Sequence, residues 1–387
     1  MIKFNKLKVV IVHDVLFEYG GAEKVLECMF EVFPHADLYT LYFNKKNQQI
    51  SEKFADKKPR SSFLQYFLWL NYLGRFFSIT KFISWLYFYQ LDLKDYDLVI
   101  SSSHSFNSKI VRKNKKALHL CYLHAPPKYL FNEFNELNFI KKFPFNILFF
   151  LFLAIMRWID IKAATHPDLM LVNSKTVQKR AKKYYQRNSL VLHPPVINLN
   201  QDFKKNYSLN QNSKKNKKKY FVAHSRLVKQ KGIELIIKTC NKYKLPLVVI
   251  GTGYYKSKLE QLAGSTIIFK GWVSDAQLIK IYSNAKALLY AAINEDFGIV
   301  PIEAMNFGVP VIAYASGGVK ETVINSKTGV FFKDYSVQSL WQAIAKLEKI
   351  SIQKKDCLKQ AQKFNTNIFK KKLKKIIVTN YSKNAGK

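Results

Sequence analysis

The stretch NEDFGIVPIEAMNFGVPVIAYASGG covers residues 294–318. The apolar run ALLYAA at 287–292 ends just before it. Phe297-Gly298 then turns the chain, and Pro301 suits a first helical turn, where its missing N–H costs nothing. VPVIAYA follows as a second apolar run, closed by Gly317 and Gly318. Continuous apolar strands on either side of a short helix predict a parallel sheet covered on both faces. Ligands of such sheets lie beyond the carboxyl ends of the strands. Glu295 and Glu303 stand there, around the helix start. The first amides of that helix, from Gly298, Ile299 and Val300, form an anion site suited to a pyrophosphate. Carboxylates are poor phosphate ligands and good acceptors from sugar hydroxyls. One can hold a hexose and the other a ribose, on either side of a bound diphosphate. The structural alternative is a glutamate that favours the helix dipole beside an ordinary surface glutamate.

The same pattern extends in both directions. LKVVIVHD near the N-terminus is short, β-branched and ends in His-Asp, which makes it a first strand rather than a signal peptide. Gly20 and Gly21 open a helical pattern after it. DLYTLYF, DLVISSS, ALHLCYLH and DLMLVNS are further strands of a first domain. HPPV at 193–196 breaks the pattern, and a polar lysine-rich stretch follows as a linker. YFVAHSR, PLVVIGTG, STIIFKGW, ALLYAA and VPVIAYASGG are strands of a second domain. The expectation is α/β: two doubly wound Rossmann-like domains facing across a cleft, at 1–200 and 215–350. Helices at 351–387 form a basic tail that can pack back toward the first domain.

The 387 residues suit two domains, and 48% hydrophobic content supports a packed core. Lys and Arg number 63 against 26 Asp and Glu, a balance of +37. Such a chain has affinity for something acidic: nucleic acid, anionic lipid or a phosphorylated substrate. Lysine, asparagine and isoleucine are abundant throughout, so genomic base composition is an equal explanation of the charge. Cys28, Cys121, Cys240 and Cys357 are scattered without metal or redox spacing, which predicts a reducing compartment and no structural zinc.

HSRLVKQKGIELII places Arg226 and Lys231 just after the strand YFVAHS. Two cations at a strand's carboxyl end supply the counter-charge a diphosphate leaving group needs; the alternative is a solvated basic helix start. Glu295, seven intervening residues and Glu303, with Arg226 and Lys231 upstream, resemble retaining glycosyltransferase family 4, of GT-B fold. YGGAEKVLE, CYLHAPPKYLF at 121–131, VNSKTV, HPPV, SRLVKQKG, GWVSD and EDFGIVPIEAMNFGVPVIAY follow in that family's order and cover most of the chain. The likeness is greatest to bacterial mannosyltransferases of O-antigen and polysaccharide synthesis.

That resemblance implies roles. Glu295 contacts the donor hexose and Glu303 the ribose hydroxyls. Arg226 and Lys231 bind the diphosphate as it leaves. Gly20 and Gly21 form the loop that approaches the phosphates and the acceptor. His124 lies beside the transferred sugar, whereas alone it reads as a structural histidine. Phe297, Gly298, Ile299 and Val300 line the donor site. Two departures are Lys128, where the family often has Arg, and Thr252, where it often has an acid. The resemblance also implies no enzymic nucleophile: the acceptor attacks on the face the diphosphate leaves, with retention, and the diphosphate takes the proton. GDP-mannose is the favoured donor and a lipid-linked glycan the acceptor, with no cofactor. Asp95-Tyr96-Asp97 mimics a metal-binding DxD but directly precedes a strand, so it is expected to be structural and no metal is expected.

Two segments, 63–91 and 143–158, are dense in aromatic and aliphatic residues. Neither has the ~20-residue apolar run that a spanning helix needs. They read as core or as interfacial helices, with Trp69, Phe76 and Phe77 docking on an anionic membrane surface. The expected place is cytoplasmic, peripheral to the inner face of the cell membrane. The rival readings are another nucleotide-sugar enzyme such as an epimerase, or a basic membrane- or nucleic-acid-binding protein. No nucleic-acid recognition motif is visible, so no nucleic acid is expected as a partner.

Overall fold

A computed structural model describes residues 6–66, 76–131, 146–197, 199 and 219–385. The chain forms two compact units, Met1–Pro194 with Phe369–Lys387, and Pro195–Ile368.

The first unit is built on a parallel sheet of β1 (Val9–His13), β2 (Asp37–Thr40), β3 (Arg60–Ser61), β4 (Leu98–Ser103), β5 (Leu118–Leu123), β6 (Leu169–Val172) and β7 (Leu190–Val191). Their spatial order is β3-β2-β1-β4-β5-β6-β7. Every residue of β1, β4 and β5 is buried. This follows from the two-residue period of a strand. Val9 and Ile11 enter a core with Val25, Leu26 and Met29 of the helix Gly21–Val32. Val10 and Val12 enter the opposite core with Leu153, Met156 and Ile159 of the helix Asn146–Ala163. Each such aliphatic side chain contributes about 1.5–3 kcal/mol on burial.

The second unit repeats the design with β8 (Tyr220–His224), β9 (Leu247–Ile250), β10 (Ile267–Gly271), β11 (Ala285–Tyr290), β12 (Val311–Tyr314) and β13 (Gly329–Phe332). Their order is β10-β9-β8-β11-β12-β13, all parallel. Two apolar cores again cover the sheet.

The C-terminal segment, one basic piece in the sequence, is divided between the units. Cys357 and Ala361 of the helix Lys354–Gln362 pack with Ile302 and Met305 in the second unit. Phe369, Leu373 and Ile377 recur every four residues on the last helix, Thr366–Ala385, and enter the first unit's core. Lys370 adds an ion pair to Glu31 at 2.5 Å.

Each sheet has one position where strand order reverses, between β1 and β4 and between β8 and β11. The loops leaving two adjacent strands diverge there and open a crevice beyond their carboxyl ends.

Candidate active site

At the reversal in the second unit, the turn Lys229–Lys231 follows β8. Gly232 ends that turn at φ +68, and a Cβ there would lie 2.2 Å from the Ala291 carbonyl oxygen. Only glycine lets the turn rest on the end of β11. The Ile293 N–H donates to the Gln230 carbonyl at 3.0 Å and completes the join. Lys231 Nζ is thereby brought to 2.5 Å from Glu295 Oε2. The Tyr290 hydroxyl donates to the same oxygen at 2.7 Å. Burial, then the Glu295 charge and hydrogen bond, hold the Tyr290 phenol well above its ordinary value, so it remains a donor.

The loop carrying Glu295 is clasped from the other side. Gly317 has φ +70, and a Cβ on it would sit 2.1 Å from the Glu295 carbonyl oxygen. The Gly318 N–H donates to that carbonyl at 2.7 Å. The Asn294 N–H donates to Ser316 Oγ at 3.1 Å. Phe297 is buried and packs edge-on against Phe364. The helix Ile299–Asn306 then starts from Gly298 at φ +90, with no side chain capping its first amides. The amides of Ile299 and Val300 therefore remain donors suited to an anion. Glu303 is buried inside this helix, and after burial its charge is the next influence raising the Tyr282 phenol.

Arg226 and Lys231 differ in state. Arg226 is exposed, and its guanidinium makes no ion pair or hydrogen bond among the described residues. Lys231 is half-buried against Glu295. The Leu227 N–H donates to the Thr252 carbonyl at 2.7 Å, tying the 251–253 loop to the Arg226 turn. The second unit thus carries Arg226 and Lys231 on the loop after β8, Glu295, Phe297 and Gly298 on the loop after β11, and Ile299, Val300 and Glu303 on the helix that follows.

Gly20, Gly21 and His124 stand at the reversal in the first unit. The register pairs His13 with Ser102, and Ser102 with Tyr122. His13 Nδ1 lies 2.9 Å from Ser102 Oγ, which lies 2.9 Å from His124 Nε2. His13 Nε2 lies 3.4 Å from Glu23 Oε1. The other oxygen of Glu23 accepts the Gly20 N–H at 2.9 Å, so the helix starting at Gly21 is tied into the same array. The His124 N–H donates to the Ser103 carbonyl, and Asn173 Nδ2 donates to the His124 carbonyl. Burial first, then the electrostatic influence of the neighbouring His13 and His104 side chains, pushes the His124 imidazole down to about 3. It is neutral near pH 7.

Asp14 holds the next loop. Its carboxylate accepts the backbone N–H groups of His104, Ser105, Phe106 and Ser108 at 2.7, 2.7, 2.9 and 3.0 Å. Burial alone would raise this carboxyl; the Ser108 side chain and the amides outweigh it and hold it below its usual value.

Asp95 and Asp97 lie at the opposite, amino end of β4. Asp97 accepts the Lys8 N–H at 2.8 Å, and Asp95 faces Lys8 Nζ at 3.8 Å. Among the described residues no three metal-ligating side chains come together. In the apolar segments, residues 67–75 and 132–145, with Trp69, lie outside the described residues, as do the side chains of Phe76 and Phe77. The helix Phe76–Gln90 buries Thr80, Ser84 and Phe88 and exposes Ile83, Leu86 and Tyr89. The helix Asn146–Ala163 exposes Leu151, Ile155 and Trp158, the last at 61%. Among the described residues no helix is long and apolar enough to cross a membrane.

Sequence reasoning missed His13, Asp14, Glu23, Ser102 and Tyr290. The available signal was polar residues at the ends of buried strands, the HD of LKVVIVHD and the serines of DLVISSS. Such groups require partners when buried.

Residues 205–364 match the model of the family Glycosyl transferases group 1. Alpha-1,3/1,6-mannosyltransferase ALG2 of Candida glabrata is 25% identical, over 84% of this chain and 80% of that protein. Its human counterpart is 26% identical, over 57% of this chain and 56% of its own length. The crystal structure of Anabaena Alr3699/HepE in complex with UDP-glucose superposes with a TM-score of 0.66 at 16% identity, over 96% of this chain and 99% of that one. The two parallel-sheet α/β domains are those of the GT-B fold.

Proposed function

We propose that this chain, which carries a group 1 glycosyltransferase domain at residues 205–364, is a retaining, metal-independent hexosyltransferase. It moves a hexose, mannose favoured, from a nucleotide sugar, GDP-mannose favoured, to a lipid-linked glycan in cell-surface polysaccharide or lipopolysaccharide synthesis. The observation that carries this reading is the charge arrangement between β8 and β11. An exposed guanidinium with no partner among the described residues, a lysine held by Glu295, and uncapped helix amides supply positive potential for a diphosphate without a cation. Glu295 and Glu303 supply acceptors for sugar hydroxyls, and His124 serves the transferred sugar. The mannosyltransferase relatives support the choice of hexose.

The test is a nucleotide-sugar screen by thermal unfolding, followed by transfer in EDTA and NMR of the product anomer. A donor at 100 times its Kd stabilises by about 2.7 kcal/mol. Stabilisation by GDP-mannose, then transfer in EDTA with retention, is the expected result. No stabilisation by any nucleotide sugar sinks the reading, and turnover without an acceptor favours an epimerase.

The lipid-linked acceptor calls for a place at the inner face of the membrane. The exposed Ile83, Leu86, Leu151, Ile155 and Trp158, in a chain of +37, support docking on an anionic bilayer. The wild type is expected to sediment with phosphatidylglycerol vesicles at low salt, and Ile155→Ser with Trp158→Ser to remain in solution. A wild type that leaves the vesicles in the pellet and stays in the supernatant shows these faces serve another purpose.

A further inference from the structure

The array at the first unit's strand ends has a direction. Each hydrogen bond in a chain needs one hydrogen, and Ser102 has a single hydroxyl proton to give. It stands 2.9 Å from a nitrogen of His13 on one side and 2.9 Å from Nε2 of His124 on the other. It must therefore donate to one imidazole and accept from the other. Glu23 sets which. One carboxylate oxygen accepts the Gly20 N–H, and the other faces His13 Nε2. A carboxylate only accepts, so the proton of a neutral His13 belongs on Nε2. Its Nδ1 is then an acceptor, and Ser102 donates to it. The free lone pair of Ser102 accepts from His124 Nε2–H. A neutral His124 carries one N–H, so its Nδ1 holds a lone pair.

We propose that Glu23, His13 and Ser102 are positioning residues that lock His124 in its Nε2–H form, making Nδ1 the acceptor for a hydroxyl of the bound ligand. Burial, which depresses the His124 imidazole to about 3, keeps it in the neutral form the lock requires. Among the described residues His124 Nδ1 has no hydrogen-bond partner, and it is not sealed from solvent. The nearby titratable groups are His13, His104 and Asp14. His104 Nδ1 is engaged by Ser105 Oγ at 2.7 Å, and Asp14 is occupied by four backbone amides. Neither supplies a competing proton to the array. That the hydroxyl belongs to a sugar rests on the glycosyltransferase reading; the lock itself does not.

The lock makes an unusual prediction for an isosteric change. In Glu23→Gln the side-chain carbonyl must stay on the Gly20 N–H, which turns the amide NH2 toward His13 Nε2. His13 Nε2 becomes an acceptor, its proton moves to Nδ1, Ser102 reverses, and His124 takes its proton on Nδ1. The nitrogen that faces the ligand changes from acceptor to donor, three residues from the substitution along the array. The experiment is 15N NMR of histidine-labelled, ligand-free protein near pH 7.5, with His124→Gln used to assign the resonances. The wild type and Ser102→Thr are expected to show the Nε2–H form, Ser102→Ala a mixture, and Glu23→Gln the Nδ1–H form. Transfer by folded Glu23→Gln is expected to fall about tenfold in kcat/KM, the worth of one hydrogen bond to a hydroxyl, while Ser102→Thr retains it. An Nδ1–H wild type, an unchanged tautomer in Glu23→Gln, or an inverted tautomer with full transfer overturns the proposal. A wild type with the Nε2–H form but no transfer from any nucleotide sugar instead refutes the functional reading and leaves the lock standing.

Discussion

The two strand-order reversals share a topology and differ in chemistry. Between β1 and β4 the polar groups are buried, and every link is a hydrogen bond among Glu23, His13, Ser102 and His124. Between β8 and β11 the groups are charged and half in water: an exposed arginine and a lysine–glutamate pair beside open helix amides. The fold chooses the place in both units, because diverging loops leave the strand ends uncovered. It leaves the electrostatics open. A buried array orients hydrogens and responds to pH. A half-exposed charged cluster attracts an anion and responds to salt.

The largest test of this contrast concerns buried against half-exposed ion pairs. In the first unit Lys109 and Asp160 are wholly buried at 2.5 Å, with Asn107 accepting from Lys109 and Tyr185 donating to Asp160. Lys109→Met strands a buried carboxylate and is expected to cost about 3–5 kcal/mol by urea unfolding. Lys109→Met with Asp160→Asn should recover much of that. Lys231→Ala, in the second unit, is expected to cost far less stability, because water reaches its partner. A Lys109→Met protein as stable as the wild type would erase the distinction.

Next is the effect on turnover. Arg226→Ala and Lys231→Ala are each expected to raise the barrier to transfer by about 2–4 kcal/mol, by removing charge from the departing diphosphate. Steady-state kinetics on folded variants measures this. A near-native rate in Arg226→Ala would end the assignment.

The pH response should separate the units. Burial holds both His119 and His124 down to about 3, against an ordinary histidine value of 6.5. The unfolded chain binds protons that the folded one refuses, so the neutral forms favour folding fully above 6.5. That stability is lost as pH falls through 6.5 toward 3. At pH 5.5 each histidine should subtract about 1.4 kcal/mol. Denaturation followed between pH 7.5 and 5.5, with His119→Gln and His124→Gln as controls, reads the effect. A flat profile would mean these imidazoles are not buried as described.

Gly317→Ala is expected to cost about 1–3 kcal/mol, from a left-handed backbone and a clash with the Glu295 carbonyl. The loss should appear in donor affinity as well as in stability, since the same loop carries Glu295. An unchanged melting temperature and donor affinity would show that the loop is not clasped.

Sequence order revealed the strands because both faces of each sheet are covered, so the apolar runs are uninterrupted. The glycines after β8 and β12 were legible for a related reason. A turn that must pass within a Cβ's width of another backbone writes itself as Gly232 or Gly317. Ser102 and His13 were not legible, because a serine or histidine inside an apolar run signals only a need for partners.

The sequence by itself determined two parallel α/β layers, the position of their breaks, and the acids and cations at the second unit's strand ends. Those are local properties of period, turn chemistry and spacing. Only the tertiary structure decided that Lys231 is spent on Glu295 while Arg226 is exposed, and that the last helix enters the first unit's core. It alone joined Glu23 to His124 through side chains from β1 and β4. These are contacts between residues tens to hundreds of positions apart. They depend on strand order and register, which place His13 beside Ser102 and which no window of sequence contains.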